Sequence, residues 1–152
     1  MSKSINLVEY AIDDNNKLYE TKSVLIETVF ISSSLYDEIV KDYPLVKKSV
    51  FEEIKSEDNY SIECFDDSKI VEIISKLENL FISILENESK KIFSKNENIG
   101  SNQIATIQND HIHLKDLEIS IKRFRTITNV INIFQLKNNQ YSSNASVVLK
   151  IG

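Results

Sequence analysis

Two stretches near the start of the chain have the apolar and β-branched residues of β-strands, and a polar turn separates them. Residues 5–12 are expected to form the first strand and residues 17–31 the second. Residues 13–16 (Asp-Asp-Asn-Asn) predict the turn, because these side chains tolerate left-handed backbone and bond their own main chain. Residues 24–31 are apolar at nearly every position, which predicts a central strand buried on both faces.

The next stretch predicts two short helices. Ser34 and Asp37 have the spacing of a capping box, and apolar residues then recur at helical intervals up to Tyr43. Pro44 predicts the end of this helix and the start of another, which extends to about Ser56. After it, residues 60–64 alternate like a short strand.

Residues 67–95 have the most regular pattern in the chain. Apolar side chains form one continuous stripe at three- and four-residue steps, which predicts a long amphipathic helix. We expect the middle of this stripe to be buried, namely Leu77, Leu80, Phe81 and Ile84. Residues 96–102, which include Gly100, are expected to form a loop.

The pattern is weaker after residue 102. Residues 103–108 and 111–114 are predicted as short strands around a turn at 109–110. Residues 115–137 fit either a strand or a helix, and their many Ile, Thr and Asn residues favour a strand in the first part. Residues 138–144 are expected to be a polar loop and residues 145–151 a final strand.

These elements define one α+β domain over residues 1–152. Its predicted architecture is an antiparallel sheet packed against the long amphipathic helix at about 67–95 and against two shorter helices. The chain is long enough to bury its own core.

Composition limits the chemistry that this chain can perform. Its 152 residues contain two Gly, one Pro, one Cys, two His and no Trp. The chain therefore has few glycines from which to build a phosphate-binding loop and few Cys and His residues from which to build a metal cluster. We expect no cofactor. The lone Cys64 needs no oxidising compartment, and neither a signal peptide nor a membrane span is evident, so a cytoplasmic location is expected.

Three candidate sites have ordinary structural explanations. His111 and His113 would share one face of a strand and could hold a metal or act as an acid–base pair, although an exposed hairpin is the commoner outcome. Cys64 could act as a nucleophile only with a base beside it and a lowered pKa, but it alternates with Ile62 and is expected to be a buried structural cysteine. Arg123 and Arg125 flank Phe124 in a basic-aromatic cluster, but the chain as a whole is acidic, so we expect no direct nucleic-acid binding.

Acidic residues are concentrated in one segment. The net charge is −5, yet residues 1–98 hold 20 acids and 12 bases, whereas residues 99–152 hold 3 acids and 6 bases. Either part could simply be solvating its own surface. The acids between positions 52 and 67 are the expected partner-binding residues: Glu52, Glu53, Glu57, Asp58, Glu63, Asp66 and Asp67.

The sequence is therefore interpreted as a small acidic binding protein. Its expected form is a bacterial immunity protein that neutralises a basic toxin domain, such as a nuclease, through the acidic segment. A phage inhibitor or accessory protein would look the same. The alternative of another class is a small metal-assisted or acid–base hydrolase that uses His111 and His113. The sequence leaves open the oligomeric state and whether the Arg123/Arg125 side is the interface instead.

Overall fold

The computed structural model describes residues 2–97 and 103–152, and it describes side chains for residues 2–91 and 115–152. In chain order the elements are β1 Lys3–Ile12, β2 Leu18–Ile31, α1 Ser33–Asp42, β3 Val46–Phe51, β4 Asn59–Cys64, a 3₁₀ turn Asp67–Lys69, α2 Ile70–Glu97, α3 Gln103–Gln140 and β5 Val147–Ile151. The mixed α and β class is thus confirmed.

The five strands form a closed barrel, which corrects the predicted open antiparallel sheet. Their order is β1-β2-β3-β4-β5, and β5 pairs back onto β1. Four of the pairings are antiparallel, but β2 and β3 run parallel over only two residue pairs, Leu18↔Val50 and Tyr19↔Phe51. A parallel pair needs a crossover, and α1 supplies it.

A bulge in β2 accompanies this closure. Opposite β1, the pairing steps from Glu9↔Val24 to Ala11↔Tyr19, so four residues of β2 face a single residue of β1. Lys22 within the bulge has a φ of 67°, in the left-handed region. A bulge bends its strand and increases its twist, which here directs β2 towards β3.

Beyond the bulge, the second half of β2 has one partner strand and exposed apolar residues. Val24, Leu25 and Phe30 are all exposed. The prediction of a central strand buried on both faces was therefore wrong for residues 24–31.

The helices also differ in part from their predictions. Ser32, not Ser34, caps α1 by accepting a hydrogen bond from the backbone N–H of Leu35. The helix ends before Pro44, as predicted, because a residue that precedes proline disfavours helical backbone. The second short helix does not exist, since residues 46–51 form β3.

One helix replaces the strands predicted at 103–108 and 111–114, and residues 115–137 take the helical alternative. α3 runs from Gln103 to Gln140 and includes positions 103–108, 111–114 and 115–137. It packs antiparallel to α2, with Phe81 and Phe124 in edge contact at 5.5 Å and Ser120 Oγ 2.8 Å from Glu88. Of the loop predicted at 96–102, residues 96–97 belong to α2, and residues 98–102 lie outside the described residues. The final strand predicted at 145–151 is confirmed as β5 at Val147–Ile151.

The core has two parts. One lies between the barrel and the helices, where Phe65 and Phe134 meet edge to face at 4.9 Å beside the buried Leu77. The other fills the barrel interior and includes Val50, Ile62 and Cys64. Each fully buried apolar side chain contributes about 1.5–3 kcal/mol. The burial predicted for Cys64 is confirmed.

Candidate functional site

The seven acids expected to bind a partner lie in three separate places along the β3–β4 hairpin. Glu52, Glu53, Glu57 and Asp58 occupy the loop between the strands and are all exposed. Glu63 lies on β4 opposite Lys47. Asp66 and Asp67 follow β4, at the far end of a strand that spans about 17 Å at 3.3–3.4 Å per residue.

The loop acids lie beside the β1–β2 turn, which brings further carboxylates to the same end of the barrel. Thr21 Oγ1 donates a 2.7 Å hydrogen bond to the backbone carbonyl of Glu52. The rings of Tyr19 and Phe51 are 5.9 Å apart, and Lys17 Nζ lies 5.1 Å from the centre of the Phe51 ring. The two connections therefore form one surface.

We call this surface the acidic end. The acidic end has its own set of seven carboxylates, four of which belong to the seven acids predicted from the sequence. It also contains three lysines, Lys17, Lys22 and Lys55. Three of the carboxylates come from the β1–β2 region, which the sequence pattern did not single out. The carboxylates of the acidic end belong to Asp13, Asp14, Glu20, Glu52, Glu53, Glu57 and Asp58.

Asp13 holds the β1–β2 turn in place. Its Oδ1 accepts hydrogen bonds of 2.9 Å from the backbone N–H groups of Asn15 and Lys17, and its Oδ2 accepts one of 2.8 Å from the Tyr19 hydroxyl. The bond from Lys17 and the one from Tyr19 lower the pKa of Asp13. Asn16 has a φ of 60°, which Asn adopts more readily than most residues. The predicted turn is confirmed.

Two tyrosines belong to the apolar cluster of the barrel interior: Tyr10 is buried, and Tyr60 is partly buried at its edge. Burial raises the pKa of Tyr60 to about 12, and Tyr10 and the hydrogen-bonded Glu20 contribute to the shift. Burial also raises the pKa of Tyr10, whose hydroxyl has no hydrogen-bond partner among the described residues. Both phenols therefore stay protonated at neutral pH.

An apolar side chain projects from the middle of the acidic loop. Ile54 is 64% exposed and has acids on both sides in the sequence. Ile12 is also exposed and lies in the last strand row at this end, opposite Leu18. An apolar anchor with a charged rim is the common composition of a protein-binding surface.

Asp66 and Asp67, in contrast, take part in holding the fold together. Asp66 Oδ1 accepts hydrogen bonds from the backbone N–H and the hydroxyl of Ser68, which caps the 3₁₀ turn and lowers the pKa of Asp66. Asp67 forms ion pairs with Lys48 at 3.8 Å and with Lys137 at 3.6 Å. Both side chains are only half-buried, but Asp66 already bonds Ser68 and Asp67 already pairs with Lys48 and Lys137.

Lys137 is a buried cation that sequence reasoning missed. It is 1% exposed, and its Nζ donates to the carbonyl oxygens of Tyr141 at 3.0 Å and Asn144 at 3.1 Å. Burial lowers the pKa of Lys137, while the charge of Asp67 partly offsets this effect. The lysine thereby ties the end of α3, the loop after it and the 3₁₀ turn together.

The remaining sequence candidates have different surroundings. The strand that would have given His111 and His113 a shared face is part of α3, and their side chains lie outside the described part of the chain. Within that part, no group of three or more His, Cys, Asp or Glu residues could hold a metal ion. Burial raises the pKa of the Cys64 thiol, which is opposite to what a nucleophile requires.

The basic-aromatic cluster is divided between two environments. Phe124 packs against Phe81 and is half-buried, whereas Arg123 and Arg125 are exposed. Arg123 forms an ion pair with Glu88 at 3.2 Å. The cluster is therefore part of the exposed side of α3, and Arg123 is the cation in it that forms an ion pair with a described residue.

A scan against protein-family models, a search of curated proteins and a search of solved structures each found no match. Among the described residues, none of the helices combines the length and the apolar character needed to cross a membrane.

Proposed function

We propose that this chain is a protein-binding module whose acidic end docks on a basic surface of a partner protein. One observation carries the proposal: the fold joins the β1–β2 turn to the β3–β4 loop, so that carboxylates 40 positions apart in the sequence share one face with the exposed Ile54. Asp66 and Asp67 are not included in this surface, because they follow β4 at the opposite end of the strand from the loop acids.

The acidic end suits a partner that normally binds nucleic acid. A nuclease cleft presents Lys, Arg and His to phosphates, and exposed carboxylates at the end of a barrel can occupy the same positions. Charges of this kind accelerate encounter, while an apolar anchor such as Ile54 supplies net affinity once it is desolvated. The concrete form of the proposal is a bacterial immunity protein that neutralises a nuclease toxin.

The hydrolase alternative gains no support from the described residues. Its premise is a histidine pair whose side chains are not described, and no observation favours it over binding.

Growth protection tests the proposal directly. The test requires a toxin-like domain encoded next to this chain as the candidate partner. When the two are co-expressed, wild type should restore growth. An acidic-end variant should protect poorly, whereas a control variant with the same charge change on the helices should protect as well as wild type. The acidic-end variant reverses Glu53, Glu57 and Asp58 to Lys, and the control variant reverses Asp37, Glu86 and Glu118 to Lys.

All six of these side chains are exposed, so both variants should fold. Equal protection by the two variants would contradict the proposed surface. Failure of wild type to protect would contradict the immunity function.

A further inference from the structure

A cleft lies between the start of α1 and the middle parts of α2 and α3. Its volume is about 670 Å³, within the 300–1,000 Å³ range typical of small-molecule sites. Leu80 and Ile84 of α2 form one wall, Ile119 and Ile127 of α3 form another, and Leu35 of α1 closes one side. This cleft explains why Leu80 and Ile84 are only half-buried, although the helical pattern predicted their burial.

Among the described residues, the polar lining of the cleft consists of two cations, one carboxylate and the hydroxyl groups of Ser32, Ser34 and Thr126. Lys122 and Arg123 border it from α3. Arg123 forms an ion pair with Glu88, whereas Lys122 has no carboxylate partner within 4 Å among the described residues. Glu38 is the one acid among the described lining residues, and Lys76 lies 3.5 Å from its carboxylate.

The N-terminus of α1 adds to this positive character. Ser32 and Ser34 line the cleft, and the first turn of this ten-residue helix carries no acidic side chain. The unbonded N–H groups at a helix start favour negative charge. An anion in the cleft would therefore meet two cations and a helix start.

We infer that the cleft binds an amphiphile that joins an aliphatic chain to one anionic head group, such as a fatty-acid carboxylate. The chain would lie along Leu80, Ile84 and Ile119, and the head group would face Lys122 and Arg123. Burial of apolar surface supplies the affinity. Lys122 and Arg123 favour an anionic head group over a neutral one. This inference is independent of the acidic end, which lies on the barrel.

Calorimetric titration with three ligands of equal chain length tests the head group. Below their micelle concentrations, dodecanoate and dodecyl phosphate represent two sources of the same anionic chemistry, and dodecanol is the neutral counterpart. Dodecanoate should bind at least about tenfold more tightly than dodecanol, a difference of about 1.4 kcal/mol. Tighter binding of dodecyl phosphate would identify a phosphate head group within the same inference. Equal binding of dodecanol would overturn the inference, as would no binding of either anion.

Matched variants on α3 test the location. Ile119→Glu places a carboxylate on the apolar wall, and Ile121→Glu is its control, because the two isoleucines are 54% and 53% exposed and only Ile119 lines the cleft. Lys122→Glu removes the cation, and Lys115→Glu on the same helix is its control. Each cleft variant should weaken dodecanoate binding by about tenfold or more, with unchanged circular dichroism. Equal losses in a variant and its control would contradict the assignment.

Discussion

Replacement of Lys137 by Met should destabilise the protein far more than replacement of an exposed lysine. Met keeps most of the aliphatic stem but removes the charged donor that bridges Tyr141, Asn144 and Asp67. The carbonyls of Tyr141 and Asn144 each retain one backbone partner, from Asn144 N–H and Val147 N–H. They are therefore not left unsatisfied, and the loss is confined to the bonds of the ammonium group.

The magnitude follows from these contacts. Hydrogen bonds to a charged group contribute about 1.5–3 kcal/mol each, and loss of one partner of a buried ion pair costs about 3–5 kcal/mol. The Asp67 side chain is one-third exposed and its Oδ2 keeps Lys48 at 3.8 Å, although its Oδ1, which faces Lys137, is buried. Met also avoids the desolvation of a charge. We therefore expect the free energy of unfolding to fall by about 2–3 kcal/mol.

Urea unfolding followed by circular dichroism measures this change. The control is Lys69→Met, because Lys69 is 47% exposed and forms an exposed pair with Glu72 at 3.1 Å. This control should lose less than about 1 kcal/mol. If the two variants unfold at the same urea concentration, the bridging role assigned to Lys137 is refuted.

Two further predictions concern the barrel interior and the helix pair. Because burial raises the pKa of Tyr60 from 10.0 to about 12, the unfolded chain loses this proton first, and stability should fall as pH rises from about 10 towards 12. Tyr60→Phe should remove the phenolate absorbance transition near pH 12, and loss of a transition near pH 10 instead would show an unshifted phenol. Leu77→Ala should cost about 2–5 kcal/mol and Leu80→Ala clearly less, since only Leu77 is fully buried. Equal losses in thermal unfolding would mean that the cleft beside Leu80 is closed in solution.

The sequence pattern correctly predicted the elements that depend on interactions between residues close together in the chain. The β1–β2 hairpin follows from a turn in which Asp13 bonds its own main chain, and α2 follows from an uninterrupted apolar stripe. Both predictions depend on residues that are close together in the chain.

Elements that depend on distant contacts were not predictable in this way. Val46 and Val50 are four residues apart and fit a helix, but in β3 they share the barrel face, with Lys48 between them. The Ile and Thr residues of α3 favour strands, yet packing against α2 outweighs that preference. Closure of the barrel depends on two residue pairs and a bulge, which leave no periodic signal.

The candidate site likewise has one part that the sequence could predict and another part that it could not. Glu52, Glu53, Glu57 and Asp58 could be found as a run of acids in the sequence. Their union with the β1–β2 turn could not, because it requires the parallel β2–β3 pairing. The structural roles of Asp66 and Asp67 likewise depend on Ser68 and on Lys137, which is 70 residues from Asp67 in the chain.

The most direct test of the acidic end is the association rate with the toxin domain at several salt concentrations. Exposed charges act over about one Debye length, roughly 10 Å at 0.1 M salt, so the wild-type rate should fall as salt rises. The variant with Glu53, Glu57 and Asp58 reversed to Lys should associate about tenfold more slowly at low salt, with a flatter salt dependence. The control variant with Asp37, Glu86 and Glu118 reversed should retain the wild-type slope. Equal rates and slopes for the acidic-end variant and wild type would contradict the account and place the interface elsewhere.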